Sequence, residues 1–188
     1  RNRPMFIFFS TNLPHGPVDI PPEENTYAGS PAIRQAYGNA SGTNRECSGA
    51  AEEYASMVDK LDRQVGAIVD QVRKLGLDKR TIIIFSSDNG HELYSRTDKG
   101  RGRGPDCHGG VLDGTGELLD VFRGSRGRVG PNNAMANLAG LKWTSHEGGI
   151  RVPLIISWPG TLPHGKVCHS LVANYDHMAS FADLAGIR

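Results

Sequence analysis

The order of apolar and polar segments predicts an α/β domain on a mostly parallel sheet. Three observations carry that prediction: continuous β-type apolar runs at residues 4–11 (PMFIFFST) and 81–90 (TIIIFSSDNG), an amphipathic helical stretch between them, and a third apolar run at 154–158. A continuous apolar run bounded by turn chemistry is the pattern of a strand buried on both faces. The order strand, helix, strand then implies a parallel pair joined by a crossover.

Residues 4–11 open the chain on a core strand with almost no lead-in, which predicts that residues before Arg1 belong to the same fold. The strand runs into Leu13, Pro14, His15, Gly16 and Pro17. Two prolines fix φ there and keep the chain out of a helix, so His15 is presented at a strand end, as a loop residue or as a functional group. Residues 19–44 are rich in Pro, Gly, Asn and Ser without apolar periodicity, and read as a loop or rim insertion.

Tyr54, Val58, Leu61, Val65, Ile68, Val72 and Leu75 recur at alternating spacings of four and three, one apolar stripe along a helix. Ser48 is the expected N-cap and Gly76 the expected stop, giving a helix about 39 Å long. The next strand delivers Asp88 and Asn89 to its carboxyl end, where ligands gather in open α/β sheets. Asp-Asn-Gly is also common turn chemistry, so a turn and a cation site are both open readings.

Residues 91–140 hold glycines and charges with no regular element, too long for a plain connector, and read as a functional or partly ordered insertion. Lys142 then precedes Glu147, Gly148 and Gly149, and a double glycine just before a strand allows a bend or a close approach. Asp176 is positioned to cap a short helix carrying Met178, Phe181, Leu184 and Ala185 and ending at Gly186.

Composition narrows the function classes. The 188 residues suffice for one domain, and 21 basic against 20 acidic residues give no global field for nucleic acid or an anionic membrane. No apolar run reaches the roughly 18 to 20 residues of a bilayer span. Cys47, Cys107 and Cys168 lack the paired spacing of a zinc site.

Taken in order, a strand then Pro14-His15-Gly16-Pro17, a helix ending Leu75-Gly76-Leu77, a strand ending Ser87-Asp88-Asn89-Gly90-His91-Glu92, then Lys142 and Glu147-Gly148-Gly149-Ile150-Arg151-Val152-Pro153 and Trp158-Pro159-Gly160 closely resemble the later part of the type I, formylglycine-dependent sulfatase catalytic domain. The resemblance implies an alkaline-phosphatase-like α/β sandwich with a mostly parallel central sheet, present as a partial domain over 1–188, and hydrolysis of sulfate esters of a sulfated carbohydrate or aryl sulfate. It makes Asp88 and Asn89 calcium ligands. His15 becomes the group that contacts the sulfate and protonates the leaving oxygen, and Lys142 the group that binds the sulfate and its bridging oxygen. Glu147, Gly148 and Gly149 are read as scaffold that positions Lys142. The resemblance also favours a periplasmic or secreted location.

One departure stands beside the agreement. None of the three cysteines lies in the C/S-x-P/A-x-R signature from which the formylglycine nucleophile matures, so the nucleophile is expected upstream of Arg1. This chain is therefore expected to carry half of an active site, to be inactive alone and to bind calcium weakly, because two side chains supply too few of the six to eight oxygens that the ion takes. Two competing functions remain: a phosphoryl or phosphonate hydrolase of the same superfamily, and a non-catalytic domain that binds sulfated glycans.

Overall fold

The computed structural model describes residues 4–15, 20–33, 45–90, 138, 142 and 144–187. The expected insertion at 91–140 lies outside the described residues apart from Leu138, as do Cys107 and residues 34–44.

Helix α1 runs from Arg45 to Lys74, 30 residues, or about 45 Å at 1.5 Å per residue. It starts ahead of Ser48, which therefore lies inside the helix and is not its N-cap. Its end falls where glycine makes it cheapest. Gly76 adopts φ +65°, its N–H donates to Arg73 O at 2.9 Å, and Leu77 N donates to Val72 O at 3.1 Å. This pair of bonds is a Schellman cap, which satisfies carbonyls that the helix itself leaves without partners.

The buried face of α1 is rotated from the expected stripe. Tyr54, Leu61, Val65 and Val72 are half-buried, whereas Val58 and Ile68 are exposed. The deepest positions are Met57, Ser56 and Glu52, because a polar strap covers them. Residues 24–29 run alongside the helix and are tied to it at one-turn intervals. Glu52 Oε2 accepts from Gly29 N at 2.9 Å, Ser56 Oγ accepts from Tyr27 N at 3.1 Å, and Lys60 pairs with Glu24. Ile20 packs on Met57 with Leu13 and Tyr54 at the edge of this small core.

Strand β1, Ile83–Ser86, and strand β2, Leu154–Ser157, form an antiparallel pair with Ile83 opposite Ser157 and Ser86 opposite Leu154. The one ladder among the described residues is thus antiparallel, and the expected parallel pair of residues 4–11 with 81–90 is not formed among them. Residues 4–11 carry the expected apolar run but form no strand. Met5, Phe6 and Phe8 are at least 75% exposed, and no neighbouring strand among the described residues offers them a ladder. Apolar character makes a segment strand-competent; a hydrogen-bonding neighbour makes it a strand.

Between the strands lies the single turn α2, Glu147–Ile150. After β2, helix α3 runs Asp176–Leu184 with Tyr175 at its N-cap position and no side-chain cap bond, so Asp176, the expected cap, is instead the first helical residue, and its Oδ2 accepts from Ala173 N at 2.8 Å ahead of the helix. It ends in a second Schellman cap at Gly186, φ +70°. Phe181 of α3 meets Phe6 edge to face at 6.1 Å between ring centroids, which holds the amino-terminal segment against α3. Trp158 Nε1 donates to Lys79 O at 3.0 Å, fastening the end of β2 to the turn before β1.

Candidate functional site

His15 is set by a turn. Its N–H donates to Asn12 O at 2.7 Å, around a cis Leu13–Pro14 bond, and Thr11 Oγ1 accepts from Leu13 N at 3.2 Å. Thr11 is itself bonded to Gln64 of α1 at 3.4 Å, so the turn is anchored on the long helix. The imidazole emerges exposed.

Lys142, half-buried, meets it from the far end of the chain: its Nζ lies 2.9 Å from His15 Nε2. An ammonium only donates, so Nε2 is the acceptor and the ring proton is assigned to Nδ1 in this arrangement. Two residues picked out as the partners of one anion are thus brought within hydrogen-bonding distance across the fold.

Asp88 and Asn89 follow β1 in a tight bend. Ser87 Oγ donates to Asn89 O at 2.9 Å and Asn89 Nδ2 donates to Gly90 O at 2.9 Å. That second bond turns the amide so that Oδ1, the oxygen, faces away from Gly90. Asp88 is exposed. Two adjacent hard oxygen donors suit a cation such as calcium in kind and fall short of it in number. Among the described residues no three His, Cys, Asp or Glu side chains gather as a metal site.

The antiparallel register joins these two halves. Because Ser86 faces Leu154, the residues after β1 run back beside those before β2. Gly90 N donates to Gly149 O at 2.8 Å, so pairing continues past the strands almost in register. The approach is tight: a Cβ on Gly90 would lie 1.9 Å from Gly148 O. The double glycine, expected to allow a bend or a close approach, makes a close approach to Gly90. Sequence reading missed Gly90, although a glycine directly after Asp-Asn was the available signal. Glu147 pairs with Arg151 at 3.2 Å, both exposed, a contact that contributes about 0.3–0.5 kcal/mol.

Residues 1–187 match the sulfatase family model. The chain belongs to the sulfatase family. It is 27% identical over 185 residues to the N-acetylgalactosamine-6-sulfatase of Canis lupus familiaris, a span covering 98% of this chain and 25% of that protein. To the arylsulfatase of Klebsiella aerogenes it is 29% identical over 147 residues, covering 71% of this chain and 29% of that one. Among solved structures, Ps i-CgsB in complex with k-i-k-neocarrahexaose superposes with a TM-score of 0.58 at 27% identity, over 94% of this chain and 28% of that chain. The sulfatase chain thus spans about a quarter of the length of such relatives. Family and structural likeness give it the α/β, alkaline-phosphatase-like fold class. No helix among the described residues is long and apolar enough to cross a membrane.

Proposed function

We propose that the complete protein hydrolyses the sulfate ester of a sulfated carbohydrate or an aryl sulfate, with His15 and Lys142 gripping the sulfate and Asp88 and Asn89 contributing to a calcium site. The observation that carries this reading is the 2.9 Å approach of Lys142 Nζ to His15 Nε2. Two nitrogen groups that meet in the open, one of them cationic, form a cradle for an anion. A sulfated amino sugar in one relative's name and a carbohydrate bound to Ps i-CgsB support a sulfated sugar as the substrate class. The same likeness supports a sandwich around a larger, mostly parallel sheet.

Sulfate-ester cleavage places negative charge on the bridging oxygen as the S–O bond breaks. Lys142 stabilises that charge without exchanging a proton, since its ammonium is already fixed beside the site. His15 supplies the proton. When the sulfate enters, Lys142 turns its N–H toward a sulfate oxygen, exposed Nε2 takes up a proton from solvent water, and the imidazolium passes that proton to the departing oxygen, which leaves as a neutral hydroxyl. A formylglycine would supply the nucleophile, and a calcium ion would polarise the sulfate.

The test compares the complete protein on an aryl sulfate and the matching aryl phosphate. The expected result is a strong sulfate preference, with Lys142→Ala lowering kcat by about 10²–10³-fold, the cost of losing one charge-stabilising donor. A phosphate preference, or full activity in Lys142→Ala, would contradict it.

A further inference from the structure

We propose that Gly90 is a positioning residue: its backbone clasp on Gly148 and Gly149 fixes the Asp88–Asn89 bend relative to the segment carrying Lys142, so that occupancy of the cation site and the placement of the lysine are set together. This inference rests on the sulfatase reading above. Asp88 and Asn89 end one strand, whereas Lys142 belongs to the approach to the other, seven residues before Gly149. Between the two approaches stands the bond from Gly90 N to Gly149 O at 2.8 Å. It is reinforced on both sides. Gly90 O accepts from Asn89 Nδ2, so the ligand side chain is oriented by the same residue that makes the clasp. Gly149 N donates to His146 O at 2.8 Å, which closes the turn leading back toward Lys142. Gly148 and Gly149 are buried at this contact.

No side chain fits there. A Cβ on Gly90 would sit 1.9 Å from Gly148 O, 2.8 Å from Gly148 C and 3.0 Å from Gly149 C. All three atoms are backbone, so the substitution cannot be absorbed by a rotamer change. To restore ordinary contact, which begins near 3.4 Å, the strands' approaches must separate by about 1.5 Å. A misplacement of about 1 Å in a reacting group costs on the order of 100-fold in rate.

The experiment uses the complete protein with Gly90→Ala, and Gly66→Ala as control, since a Cβ on Gly66 meets nothing within 4 Å. Calcium affinity and the kcat and KM for an aryl sulfate are measured, together with amide hydrogen exchange over 85–90 and 146–151 with and without calcium. The expected result for Gly90→Ala is about 100-fold lower kcat with a smaller change in KM, and calcium affinity lowered about tenfold or more, while Gly66→Ala leaves all three unchanged. In the unsubstituted protein, calcium should slow exchange in 146–151 as well as in 85–90; a merely structural glycine would not transmit that effect. The unsubstituted protein alone keeps the proposal falsifiable if Gly90→Ala does not fold. Calcium protection confined to 85–90, or a Gly90 amide that exchanges as fast as an open loop, would overturn the clasp whatever the activity. A protected Gly90 amide in a protein with no calcium response would instead overturn the cation assignment of the preceding section.

Discussion

Replacing Ser56 by alanine probes how the strap at residues 24–29 is held. Ser56 is fully buried. Its hydroxyl accepts from Tyr27 N at 3.1 Å, and its one proton is shared between Asn25 Oδ1 at 2.8 Å and Glu52 O at 2.9 Å. Alanine removes the oxygen and leaves a void too small for a water molecule. Asn25 Oδ1 and Tyr27 N then lose a partner. A buried polar group left unsatisfied costs about 1–3 kcal/mol. Tyr27 is 40% exposed and water recovers part of its bond, so the total is about 2 kcal/mol, or about 30-fold in the opening equilibrium of the strap. Native-state hydrogen exchange at Gly29 is the assay. Its N–H bonds to Glu52 and not to Ser56, so faster exchange there reports opening of the whole strap. Exchange at Gly29 within twofold of the unsubstituted protein would refute the reasoning.

Two further perturbations follow from local chemistry. Gly76→Ala places a Cβ at φ +65°. The strain of the left-handed region costs about 1–2 kcal/mol and should lower the urea midpoint, while Gly66→Ala should not. The Cys168 thiol is fully exposed and titrates below its ordinary value, because the backbone of Ser170 and then the Ser170 hydroxyl hydrogen-bond to it. A lowered thiol pKa means more thiolate below pH 8 than an ordinary cysteine holds, so alkylation by iodoacetamide should be correspondingly fast. Ser170→Ala leaves the backbone bond and should slow the reaction only in part; an unchanged rate would rule out the hydroxyl.

What the sequence made legible was local. The stop at Gly76 and the short helix from Asp176 to Gly186 depend on a few adjacent residues, and both were readable. The start of α1 was not, because Ser48 has cap chemistry anywhere and nothing local shows that the helix begins at Arg45. The apolar stripe gave the helix but not its most buried face, since that face is decided by polar anchors, Glu52 and Ser56, that meet a strap from elsewhere in the chain. The run at 81–86 was recognisable as a strand; its antiparallel pairing with the run at 154–157 was not, because pairing is non-local and leaves no mark on either run alone. The same limit hid Gly90. Asp88, Asn89, His15 and Lys142 were singled out through the family resemblance, yet the contact that ties the bend at 88–89 to the lysine segment joins backbone atoms far apart in sequence and carries no side-chain signature.

The central claim is that His15 and Lys142 act on one sulfate. A double-substitution cycle on aryl-sulfate turnover by the complete protein, with His15→Ala, Lys142→Ala and both together, tests it most directly. Groups that work as a unit are strongly non-additive. The account predicts that each single substitution costs nearly as much as the pair. Costs that simply add, or a single substitution without effect, would contradict it.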